Sequence, residues 1–119
     1  MTTDELRPRT KSFALQVTRR VDALPNTVKG RAIANQIMRG APSVAANYRA
    51  AGGARSRAEF IAKIGVVEQE ADETAFGLEL IVDTDLCGES QIERLLKEAG
   101  ELIMAASRKS PIGNRESEI

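Results

Sequence analysis

Phe60, Ile64, Val67, Ala71, Thr74, Leu78 and Ile81 recur at alternating steps of four and three residues. That rhythm, held for more than two heptads, describes one face of an α-helix packed along its length against other helices; a strand's side chains alternate with period two and cannot follow it. Ser56, with Glu59 three residues on, stands just before the stripe as a capping box, so the helix is expected over about 56–84.

Three further stretches obey the same period. Phe13, Ala14, Val17, Val21 and Leu24 give a helix over about 6–24, ending before Pro25, with Pro8 accommodated in its first turn. Val28, Ala32, Ile33, Ile37, Ala41, Val44, Ala45 and Tyr48 give a second over 27–52, capped by Asn26 or Thr27. Its stripe persists past Pro42, which favours one long kinked helix over two short ones. Gly52 or Gly53 then stops it in a left-handed conformation. Ser90 and Glu93 form a second capping box ahead of Ile92, Leu95, Leu96, Ala99, Leu102, Ile103 and Ala106, giving a fourth helix over 90–108. The polar tail 109–119 is expected to fray and be flexible.

Nothing alternates with period two over a useful length, and the connections are short. The expected fold is all-α: one domain over 1–108, an antiparallel up-down-up-down four-helix bundle. Aromatic residues make up only 3% of the 119-residue chain and hydrophobic residues 42%. Such a core is built from Ala, Leu, Ile and Val, which suits closely packed helices.

The chain contains no histidine. Serine–histidine and cysteine–histidine catalysis, zinc sites with histidine ligands, and histidine-containing di-iron sites are therefore excluded. The single cysteine, Cys87, reads as an unactivated thiol. Glu68, Asp72 and Glu79 lie close to one face of helix three, with Glu70 and Glu73 nearby, but helices one and two offer only Asp4, Glu5 and Asp22 as further acids. A di-metal site draws on several helices, so these carboxylates read as a solvated or subunit-facing acidic face. No cofactor and no metal is expected, and the chain is not expected to be an enzyme. No run of about 20 apolar residues and no apolar leader block is present, which predicts a cytoplasmic protein without a membrane partner.

"AAGGARS" is no phosphate loop: it lacks Gly-x-x-x-x-Gly-Lys-Ser/Thr and follows a helix rather than a strand. It reads as the turn of a helical hairpin. Asn47, beside the stripe of helix two, is expected to bond across to another helix or chain and fix register, with Tyr48 packing in the core or an interface.

Zero net charge conceals a division. Residues 1–67 carry 12 Lys/Arg against 4 Asp/Glu, and residues 68–119 carry 5 against 13. Opposite fields on one small body point to association, the basic helices of one subunit meeting the acidic helices of the next. Arg19, Arg20, Arg31, Arg39, Arg49, Arg55 and Arg57 are the candidate contacts, with Asn47, Tyr48, Glu68 and Asp72 as candidate interface or register residues. The same cations would also serve phosphate contact with RNA or DNA, without base readout because stacking aromatics are nearly absent. Subunit contact ranks first.

Residues 34–83, "ANQIMRGAPSVAANYRAAGGARSRAEFIAKIGVVEQEADETAFGLELIVD", resemble the bacterial four-helix-bundle family whose first members were encoded by intervening sequences within 23S ribosomal RNA genes. The likeness falls on Gln36, Arg39, Ser43, Val44, Asn47, Arg55, Ser56, Glu59, Phe60, Glu68 and Glu70. The resemblance implies a ring-shaped homopentamer with no established enzymatic activity and no assigned role. Through the related accessory proteins of diversity-generating retroelements, it also implies a possible partnership with a reverse transcriptase and nucleic acid. Two positions depart from the family pattern. Ala50 stands where an acid is frequent, and Gly77 where an aromatic ring is, the latter expected to weaken helix three by about 1 kcal/mol relative to Ala.

Overall fold

A computed structural model describes the backbone of residues 3–84 and 89–109, and the side chains of 5–84 and 91–109. Those residues form four α-helices and no strand: α1 (Thr3–Val21), α2 (Val28–Gly52), α3 (Arg57–Asp83) and α4 (Glu89–Lys109). Each helix packs on the next in the chain, and α4 returns against α1 along a thinner seam, so α3 lies diagonal to α1. Neighbours run antiparallel, as the short connections require. None of these helices is long and apolar enough to cross a membrane. Cys87 and most of the tail lie outside the described residues; the Ser90 side chain does too, and α4 already includes Glu89.

The stripes read from the sequence line the core. Phe13 and Val17 from α1, Ile37 and Val44 from α2, Ile64, Val67, Leu78 and Ile81 from α3, and Ile92 and Leu102 from α4 are all shielded from solvent. Alanines 41, 71 and 99 are fully buried among them. Their small side chains let the helix axes approach, which is how a core so poor in aromatics still fills its volume.

α1 begins at Thr3, about a turn earlier than expected, so Pro8 lies beyond the first turn. Leu6 explains the extension: at 2% exposure it is anchored in the core, which draws the preceding turn into the helix despite the missing Pro8 donor. At its other end α1 stops at Val21. The amides of Ala23 and Leu24 bond to the carbonyls of Arg20 and Val21, three residues back, and Leu24 packs on the core from outside the helix.

Thr27 is the cap of α2, its Oγ1 accepting from the Gly30 N–H at 3.0 Å. The helix continues through Pro42 as one element. It does not end in a left-handed glycine: Gly52 is still helical, and Gly53 has φ −101°. The amides of Gly53 and Ala54 instead donate to the carbonyls of Ala50 and Ala51, so a tightened last turn satisfies the end without positive φ. Ser56 caps α3 as expected from its spacing, accepting from the Glu59 N–H at 3.1 Å.

The α2–α3 contact is the most extensive, and two glycines permit it. A Cβ on Gly40 would stand 2.5 Å from Thr74 Oγ1, and one on Gly77 2.7 Å from Ile37 Cγ1. Gly77 is therefore not a packing deficit. Ile37 of the neighbouring helix occupies the space that a side chain there would need.

Candidate interaction surfaces

α1 and α2 each contain a proline, and both prolines face outward onto a shared groove of about 490 Å³. Its walls are apolar: Pro8, Ala14 and Leu15 from α1, and Pro42, Ala45 and Ala46 from α2. Arg7, Lys11 and Arg49 stand at its edges, and no acidic residue lines it among those whose side chains are described. Leu15 is 47% exposed there. The sequence carried a signal for this surface, because Leu15 lies off the Phe13–Val17 stripe and so cannot belong to the core.

A second groove lies between α2 and α3 and is polar. Asn35, Gln36, Arg39 and Ser43 face Glu70 and Glu73 across it. Arg39 therefore sits beside acids of its own chain. The third surface joins the last turns of α1 to the start of α4, where Arg19, Arg20 and Arg94 converge with Gln16 and Gln91 in a groove of about 270 Å³. None of these three arginines forms an ion pair among the described residues.

The seven arginines singled out from the sequence do not make one patch. Arg19, Arg20 and Arg31 gather at the end of the bundle holding the α1–α2 connection, whereas Arg49, Arg55 and Arg57 lie at the opposite end around the α2–α3 turn. The 25 residues of α2 separate the two ends by about 37 Å at 1.5 Å per residue. A single phosphate-tracking surface built from Arg19, Arg20, Arg55 and Arg57 is thus not formed within one chain.

Asn47 is half-buried, and its amide turns inward along its own helix: Nδ2 donates to the Ser43 carbonyl and to Ser43 Oγ, each at 2.9 Å. These bonds do not cross to another helix, because a partner four residues back lies one turn away on the same face. Tyr48 is buried in the core. Glu68 is half-buried with its Oε1 shielded from solvent, while Asp72 and Glu79 are exposed on α3. Among the described residues no cluster of three or more Cys, Asp or Glu side chains is placed to hold a metal ion.

One ion pair is invisible in the sequence. Arg9 of α1 bonds both carboxylate oxygens of Glu98 in α4, Nε to Oε2 at 2.7 Å and Nη2 to Oε1, and its Nη2 also lies 3.3 Å from Glu101 Oε2. The bond to Glu98 holds the guanidinium well above the usual arginine range, so Arg9 stays charged at any accessible pH. This fork bridges the thin α1–α4 seam.

A model of the 23S rRNA-intervening sequence protein family matches residues 5–107, spanning all four helices. The chain belongs to that family. As a member of the 23S rRNA-intervening sequence proteins it is also similar to a solved structure, a protein of unknown function from the S23 ribosomal protein family of Bacteroides thetaiotaomicron. The two share 31% identity and a TM-score of 0.78, over 84% of this chain and 93% of the other. No curated protein matches. The solved member is a protein of unknown function, so the likeness brings no assigned activity with it.

Proposed function

We propose that this family member is a non-enzymatic, cytoplasmic protein that works as a homo-oligomeric scaffold, with the ring-shaped pentamer implied by the family resemblance as its form. The α1–α2 groove carries this reading. Its lining is mostly apolar, it is open to solvent, Arg7, Lys11 and Arg49 stand at its edges, and it belongs to a chain whose second half is acidic. A concave, mostly apolar site between cations offers a seat for an apolar side chain of a partner. Multi-angle light scattering at micromolar concentration tests it: a species several times the 12.9 kDa chain mass is expected, and a monomer alone overturns it.

The groove of Arg19, Arg20 and Arg94 supports a second reading, sequence-independent contact with RNA or DNA through phosphate. Filter binding of a 30-nucleotide RNA should be detectable near 50 mM salt and fall steeply as salt rises. Absence of binding at low salt removes this reading. Binding indifferent to salt removes its mechanism.

A further inference from the structure

We propose that the α1–α2 groove of one copy receives the outward face of α3 from a second copy, with Phe76 as the inserted side chain and Asp72 facing Lys11 and Arg49. This rests on the oligomer reading above and names the contact that would build it.

The chain has four aromatic residues besides no tryptophan, namely three Phe and one Tyr. Phe13 and Tyr48 are buried and Phe60 packs against the core, whereas Phe76 is 54% exposed. It stands off the α3 stripe, between Thr74 and Leu78. Asp72 lies one turn before it and Glu79 one turn after, both exposed. An apolar knob flanked by acids complements an apolar groove flanked by Arg7, Lys11 and Arg49.

Height along the bundle also matches. The close approaches of Gly40 to Thr74 and of Ile37 to Gly77 fix the α2–α3 register, in which each step up α2 is a step down α3. That register places Asp72 level with Pro42 and Gln69 level with Ala45, both groove positions, and Phe76 one turn beyond Pro42. Bundles standing side by side and pointing the same way meet at equal heights. Phe76 of one copy then reaches the Leu15–Pro42 end of its neighbour's groove, while Asp72 points along it toward Lys11 and Arg49.

A chain cannot satisfy its own groove, because α3 lies diagonal to α1 in the bundle. Two different surfaces are joined, so every added copy leaves one groove and one knob free until a ring closes.

Two exposed substitutions separate the surfaces: Phe76→Asp spoils the knob and Leu15→Glu spoils the groove. Far-UV circular dichroism and urea unfolding report whether each variant remains folded. Each is expected to run as a 12.9 kDa monomer in light scattering, and their equimolar mixture, which retains one good knob and one good groove, as a species of two chains. Asp72→Lys should weaken association at least tenfold at low salt, and adding Lys11→Asp and Arg49→Asp to the same chain should restore it; this pair reads the contact even where Phe76→Asp unfolds. A folded Phe76→Asp variant, or Asp72→Lys, that assembles like the parent overturns this contact and leaves the oligomer reading standing. Two monomeric variants that stay monomeric when mixed overturn the pairing of these two surfaces. A parent protein that is itself monomeric removes the oligomer reading and this contact with it.

Discussion

At Gly77 two opposing effects meet. An alanine would gain about 1 kcal/mol of helix propensity, but its Cβ would collide with Ile37 Cγ1, a branched atom close to the backbone rather than the free end of a flexible chain. Overpacking of that kind costs about 1–3 kcal/mol, so Gly77→Ala should lower stability, as should Gly40→Ala, which would press on the buried Thr74 hydroxyl. Gly100 has nothing within 4 Å of a built Cβ, and Gly100→Ala should raise stability by about 0.5–1 kcal/mol. Urea midpoints of the three variants check the sign of each. No spacing rule separates these glycines, since the difference lies in what a second helix brings to the site. Asn47 shows the same boundary from the other side: its half-buried position beside the stripe was legible, but the choice of Ser43 over a neighbouring helix was not.

Element boundaries were legible where a side chain talks to its own turn. Ser56 and Thr27 cap their helices through hydroxyls that accept an N–H three residues on, a local geometry the sequence can encode. Ser56→Ala should therefore cost about 1 kcal/mol in urea unfolding, with Ser56→Asp holding most of the stability because its carboxylate can accept the same bond. The start of α1 is not legible locally: proline suggests a first turn, while the burial of Leu6 that overrides it is a tertiary effect. α2 stops at Gly52, where the glycine pair predicts a stop, but the left-handed cap that such a pair suggests does not form, because a tightened turn completes the helix at negative φ.

For the molecule as a whole, the four stripes prescribed which faces meet, and that much of the bundle followed from periodicity alone. The strength of each seam did not. α1 meets α4 along the thinner seam, and the Arg9–Glu98 fork, 89 residues apart in the chain, is a specific bond across it. The two side chains keep only 30% and 25% exposure, so Glu98→Gln should cost about 1 kcal/mol, and the loss should shrink at high salt. Native-state hydrogen exchange should find α1 opening at lower free energy than the α2–α3 hairpin, with the gap widening in that variant.

The division of the arginines between the two ends of the bundle has a consequence for any assembly in which the copies point the same way. Each end would become a rim, one repeating Arg19, Arg20, Arg31 and Arg94 and the other repeating Arg55 and Arg57. A contact too weak to hold a phosphate on one chain would be presented several times at fixed spacing, and a polyanion long enough to touch neighbouring copies would bind by avidity where a mononucleotide does not.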